Sequence, residues 1–118
     1  MEKFNFIDYT EKVDIAGHIF DLECTAETGE IINAFKTKLV AIPSEVSSGT
    51  KTTEEAISLC SGVTDQLLGE GAFEKIFTGR KIRFDDAMDV CLFLIQAVAA
   101  GYNKRNATLK KKGLLIKK

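Results

Sequence analysis

The segment FDDAMDVCLFLIQAVAAGY, residues 84–102, decides the fold of this chain. As a helix, it would carry apolar side chains around an arc of about 200° at 100° per residue. A surface helix needs an apolar stripe only a little wider than about 100°. Asp85 and Asp86 stand where a helix N-terminus favours carboxylates. We therefore predict a helix from about Asp85 to Asn103 that is either the centre of the domain or the seam of an oligomer.

Phe93 stands outside this apolar arc. It projects roughly opposite Tyr102, onto the face that carries Asp86, Asp89 and Gln96. A phenylalanine there is either covered by another element of the same chain, such as a hairpin or the tail, or it is a protein-binding residue. The sequence leaves both interpretations open.

A β-hairpin is predicted upstream, in KVDIAGHIFDLEC, residues 12–24. Apolar and charged residues alternate on both sides of Ala16-Gly17-His18, which supplies the glycine that a tight turn needs. Phe4, Phe6 and Tyr9 are candidates to extend the same sheet. Because an isolated hairpin is marginal in water, it must pack on the helices that follow.

Three further helical segments lie between the hairpin and the last helix. The first is predicted from a cap at Thr25 to about Ile42, ended by Pro43, the only proline. A polar loop leads to a second helix, which starts with the capping-box pair Thr52 and Glu55 and stops at Gly69. A short apolar piece follows, over residues 72–78.

The predicted fold class is mainly α (α+β), with an N-terminal β-hairpin packed on a bundle of three to four helices. Residues 1–103 form a single domain in this interpretation, and residues 104–118 form a basic C-terminal tail. The body holds 17 acids and 9 bases, a net charge of −8, whereas the tail holds seven bases and no acid. Such a chain can recognise its own copies head to tail or reach an acidic partner; the alternative is a tail that only solvates the protein.

The tail also contains Leu114, Leu115 and Ile116 between lysines. A purely solvating tail does not need three consecutive aliphatic residues. We therefore take these three residues, together with Phe93 under its second interpretation, as the candidate protein-binding residues. A short strand added to the edge of the hairpin, in the same copy or in a neighbour, would satisfy both the backbone and the side chains.

Reactive groups are few. Cys24, Cys60 and Cys91 are far apart and set among apolar residues, which indicates buried reduced thiols in a cytosolic compartment. The single histidine, His18, falls in the predicted hairpin turn. The adjacent pairs of acids stand at helix starts, where capping accounts for them. We predict no catalytic, cofactor or metal site, and therefore no enzyme.

No apolar stretch approaches the roughly 20 residues needed to cross a bilayer, and acids interrupt the N-terminus. We expect a soluble, cytoplasmic protein with no membrane partner.

The order of these segments resembles the small tail assembly chaperones of long-tailed bacteriophages and prophages. The resemblance covers about residues 12–103: KVDIAGHIFDLE, a helix that ends at proline, TTEEAISLCSGVTDQLLG, FEKIF and the long apolar helix. It implies a non-enzymatic protein of the bacterial host cytoplasm that often self-associates as a homo-oligomer. Its partners would be the tape-measure protein, which such chaperones keep soluble, and the tail-tube subunits that polymerise around it. The resemblance is one of layout, so it assigns no role to individual residues.

The alternative is a small nucleic-acid-binding regulatory protein that uses the basic tail. The body at −8 repels phosphates, and the tail has no aromatic residue for base stacking. Nucleic acid is therefore the less favoured partner.

Overall fold

A computed structural model describes residues 2–6 and 8–111. In chain order its elements are β1 (Thr10–Ile15), β2 (His18–Glu23), α1 (Ala26–Ser47), α2 (Thr53–Leu68), α3 (Ala72–Ile76) and α4 (Phe84–Lys111). The strands form an antiparallel pair that packs on the helices. This arrangement confirms the prediction of a mainly helical α+β fold with an N-terminal hairpin.

The hairpin closes through a two-residue turn. Ala16 and Gly17 have φ angles of 55° and 87°, and two positive φ angles give the turn a twist that matches the strands it joins. Ile15 pairs directly with His18. His18 is therefore the first residue of β2 and does not lie within the turn, where the sequence pattern places it.

One face of the hairpin is apolar and the other is charged, as the alternation predicts. Val13, Ile15 and Leu22 are buried against the helices. On the opposite face the Lys12 ammonium and the Asp21 carboxylate are 2.8 Å apart and exposed.

The prediction that Phe4 and Phe6 extend the sheet is wrong. They precede β1, and 76% and 91% of their surfaces are exposed. The cause is the early end of β2. The backbone N–H of Cys24 still donates to the Tyr9 carbonyl at 2.7 Å, but Thr25 already caps α1. Residues before Tyr9 therefore have no strand in β2 to pair with.

Helix α1 begins as predicted and ends later. Thr25 and Thr28 cap each other's backbone N–H groups. The helix passes through Pro43 and ends at Ser47, so the predicted end at Ile42 is wrong. Proline removes one helical hydrogen bond, but Pro43 is exposed, and the turn beyond it packs Val46 against the core.

Helices α2 and α3 match their predicted positions. The hydroxyl of Thr52 accepts from the Glu55 N–H at 3.1 Å, and the Glu55 carboxylate accepts from the Thr52 N–H at 3.0 Å. Asp65, near the end of α2, accepts the Phe73 N–H at 2.9 Å and so fixes the start of α3. The apolar side chains of this region are buried: Phe73, Ile76 and Phe77.

Helix α4 runs through the domain and reaches Lys111, the last residue that the structure describes, so the predicted end at Asn103 is wrong. The Lys104 ammonium lies 3.3 Å from a Glu11 carboxylate oxygen. The Arg105 guanidinium lies 4.6 Å from the centre of the Tyr9 ring. These contacts hold the helix against the N-terminal segment, so residues 104–111, the first part of the predicted tail, continue α4.

The molecule is long and thin. Its extents are 61 × 33 × 17 Å and its radius of gyration is 16.9 Å, whereas a compact domain of this length has a radius of gyration of about 13.5 Å. A helix with its side chains is about 10 Å across, so no more than two layers of elements fit in the thin direction. Every helix therefore has a side that faces solvent.

Candidate functional site: exposed apolar surfaces of α1 and α4

Phe93, the protein-binding residue predicted within the described part of the chain, is exposed over 43% of its surface. Among the described residues, nothing covers this part of Phe93; residues 112–118 of the tail, which the sequence offers as a cover, lie outside them, so both interpretations of Phe93 stay open. Leu114, Leu115 and Ile116 lie outside the described residues.

A groove of about 520 Å³ runs between α1 and α4. The two helices are antiparallel along it. Cys24, just before α1, packs against Gly101 near the C-terminal end of α4, whereas the groove extends to Lys36 on α1 and to Ile95 on α4. The groove is lined by Ala26, Gly29, Glu30, Ile32, Asn33, Lys36, Ile95, Val98, Ala99, Tyr102 and Asn103.

By helical spacing, two exposed aliphatic residues lie on the groove-facing sides of α1 and α4, just beyond the lining. Val40 lies one helical turn beyond Lys36, and Leu92 lies one turn before Ile95, so both fall at the same end of the antiparallel pair. Their surfaces are 73% and 48% exposed. We call the lined cavity together with these two residues the α1/α4 groove.

The chemistry of the α1/α4 groove suits an apolar helix. Its floor is aliphatic, with Ile32 and Val98 buried and Ile95 half-buried. Its rim carries one acid and one base, Glu30 and Lys36, so it favours no net charge in the partner. Such a surface buries apolar area and orients a ligand only weakly by charge.

The sequence did not identify Val40. The spacing that defines the buried face of α1 contains the information, because Val40 lies about 100° around the helix from Leu39, at 100° per residue. The sequence spacing does not report the distance between α1 and α4. That separation determines whether such a residue is covered.

All three cysteines are buried and free, as predicted. Burial raises the pKa of the Cys24 thiol, and the charge of Glu11 adds to the effect. The Cys60 thiol has a raised pKa because of its Cys91 neighbour and its burial. Cys91 Sγ donates to the Cys60 carbonyl at 3.6 Å. Raised pKa values and burial leave Cys24 and Cys60 as packing residues with little thiolate.

Across residues 2–6 and 8–111, no three His, Cys, Asp or Glu side chains are grouped so that they could hold a metal ion. In the same part of the chain, no helix has the length and apolarity to cross a membrane.

Comparison with protein-family models, with curated proteins and with solved structures finds no match to this chain.

Proposed function

We propose that this chain is a non-enzymatic tail assembly chaperone of a bacteriophage or prophage. It acts in the cytoplasm of the bacterial host, without a cofactor, and holds apolar helices of a tape-measure protein or of tail-tube subunits. The α1/α4 groove carries this proposal, since it is an open channel with an aliphatic floor between two antiparallel helices. The layout resemblance of residues 12–103 supplies the particular partner.

The dimensions of the groove favour a helical partner. From Ala26 to Val40 it follows α1 over 15 residues, and the rise between the first and the last is about 21 Å, or four turns, at 1.5 Å per residue. A helix laid there would contribute anchors at i, i+3 or i+4, and i+7. Each Å² of apolar surface that it covers contributes about 25 cal/mol.

The test is co-expression with the product of a long helical reading frame beside this gene. We expect the chain to keep that product in the soluble fraction and to co-purify with it. Val40→Asp and Leu92→Asp each place a carboxylate at the end of the groove, and both should abolish the effect. Thr37→Asp is the matched control because Thr37 is exposed on α1 and does not line the groove.

Equal solubilisation by the groove variants and the wild type would contradict the proposal, as would a gene neighbourhood without such a frame. Binding to DNA or RNA that weakens steeply with salt would instead support the nucleic-acid alternative.

A further inference from the structure

Three sulfur atoms come together where α2 packs on α4. Cys60 of α2 contributes the first, and its Sγ lies 3.6 Å from the Sδ of Met88 on α4. Cys91, also on α4, donates from its Sγ to the Cys60 carbonyl at 3.6 Å. Met88 and Cys91 are three residues apart, so they share one face of the helix. We call Cys60, Met88 and Cys91 the sulfur cluster.

The surroundings of the sulfur cluster favour soft ligand chemistry. Cys60 and Cys91 are fully buried and belong to the hydrophobic core. Among residues 2–6 and 8–111, no carboxylate or imidazole joins the two thiols to make a group of three such ligands. The Thr64 hydroxyl is engaged, since it donates to the Cys60 carbonyl at 2.9 Å. A set of thiol and thioether donors selects soft ions such as Cu(I), whereas hard ions require oxygen ligands.

The spacing of the sulfur atoms is close to that of a three-coordinate ion. In a planar site with metal–sulfur bonds of about 2.3 Å, the ligand atoms lie about 4 Å from one another. The distance of 3.6 Å between Cys60 Sγ and Met88 Sδ is near this value. The ion would lie in the plane of the three sulfur atoms, so a small rotation of side chains would admit it without a separate cavity.

We propose that the sulfur cluster binds one soft monovalent cation, Cu(I), through Cys60, Met88 and Cys91. On binding, one thiol releases its proton to solvent and coordinates the ion as a thiolate. The second thiol and the thioether coordinate as neutral donors, and no electron is transferred. The thiolate and the ion cancel in charge, and a neutral site is compatible with burial in the core. Met88 is half-buried, so its thioether gives the ion a first contact from outside.

The sulfur cluster is separate from the α1/α4 groove, because none of its three residues lines that groove. A bound ion would link α2 to α4 and stabilise the folded domain, since it binds the folded chain in preference to the unfolded one. This inference therefore does not rest on the chaperone proposal, which needs no metal.

Competition with a coloured Cu(I) chelator tests the sulfur cluster directly. Reduced protein is added, without oxygen, to the Cu(I) complex of bicinchoninate, whose colour reports how much copper the chelator loses. The wild type should withdraw one ion per chain. Met88→Leu keeps both thiols and nearly the same volume. It should bind Cu(I) at least about tenfold more weakly, because losing a ligand should cost at least as much as losing an outer-shell partner.

Cys24→Ala is the matched control. It removes a buried thiol outside the cluster, since Cys24 lies against Gly101, and it should withdraw copper as the wild type does. Circular dichroism checks that both variants are folded. Cu(I) should also raise the melting temperature of the wild type by at least about 5 °C, and that of Met88→Leu by less. X-ray absorption should show three sulfur ligands for each copper ion.

Three results would each overturn the metal site: a folded wild type that withdraws no copper, a Met88→Leu variant with the wild-type affinity, or a Cys24→Ala variant that no longer binds. Equal binding by chains unfolded in urea would also overturn it, because the thiols alone would then account for the copper. Val40→Asp, in the groove, should bind Cu(I) like the wild type. The failure of this inference and the failure of the chaperone proposal are therefore distinguishable.

Discussion

Helix α4 has a closed side against α2 and an open side towards α1. On the closed side, Ala87, Cys91 and Leu94 of α4 and Ala56 and Cys60 of α2 are all fully buried, and Cys91 Sγ donates to the Cys60 carbonyl across the contact. Small side chains let the two backbones approach closely. On the open side, the same helix stands apart from α1 and leaves the α1/α4 groove. The difference shows that one helix contributes both to the stability of the domain and to the surface that we propose binds a partner.

The largest contrast between the two sides is expected in thiol reactivity. Cys60 and Cys91 should react with an alkylating reagent only when the domain opens, so their rates report the opening equilibrium. An added thiol in the groove, Ala99→Cys, should react at the rate of a free cysteine because Ala99 is exposed. We expect the introduced thiol to react at least about a thousand times faster than Cys60 and Cys91. Mass spectrometry of samples taken during the reaction would measure the rates. Similar rates would show that the α2/α4 contact is not closed.

Truncating one leucine on each side of α4 should lower the free energy of unfolding by different amounts. Leu94→Ala leaves a cavity on the closed side and should lower the free energy of unfolding by about 3 kcal/mol. Leu92→Ala, two residues away and 48% exposed, should lower it by less than about 1 kcal/mol. Denaturant titration measures both. Equal losses would mean that the open side is covered in solution.

An added methyl group should destabilise the domain at Gly101, where the backbone of α4 contacts the Cys24 side chain. A Cβ built on Gly101 would overlap Cys24 Sγ and lie 2.8 Å from Cys24 Cβ. Gly101→Ala should therefore destabilise the domain by about 1–3 kcal/mol. The control is Gly62→Ala on the exposed side of α2, where no atom lies within 4 Å; helix propensity predicts a gain there of up to about 1 kcal/mol. If Gly101→Ala left the free energy of unfolding unchanged, the close contact between Gly101 and Cys24 would be refuted.

The smallest effect concerns the exposed cap that starts α2. Hydrogen bonds from Thr52 hold the pKa of the Glu55 carboxyl below its ordinary value. A depressed folded-state pKa gives stability that is present above the unfolded pKa and is lost as the pH falls through the folded pKa. Glu55→Gln should retain the capping geometry and remove this part of the acid dependence, which unfolding curves between neutral and acidic pH would reveal. An unchanged pH dependence would show that the carboxylate contributes nothing.

Local rules explain how far the sequence predicted this fold. The hairpin, the caps at Thr25 and Thr52, and the break at Gly69 depend on neighbouring residues, and the structure confirms them. The two helix ends that were wrong depend on distant contacts. Helix α1 passes Pro43 because Val46 reaches the core, and no local pattern reports such a gain.

The end of α4 was missed for the same reason. Positive charge begins at Lys104, and a run of bases without acids is locally typical of a solvated tail. The structure instead pairs Lys104 with Glu11 and stacks Arg105 on Tyr9. For the candidate site, Phe93 was identified from its angle on the helix, but the groove was not, because its width depends on how α1 and α4 are spaced.

The contact between Cys24 and Gly101 also has a consequence for synthesis on the ribosome. It joins the end of the hairpin to a residue 77 positions later in the sequence, so the hairpin has no final docking place until the chain has emerged as far as Gly101. We expect nascent chains that stop before Gly101 to expose the hairpin to proteases and full-length chains to protect it. The hairpin would then reach its protected state only after α4 has been synthesised as far as Gly101.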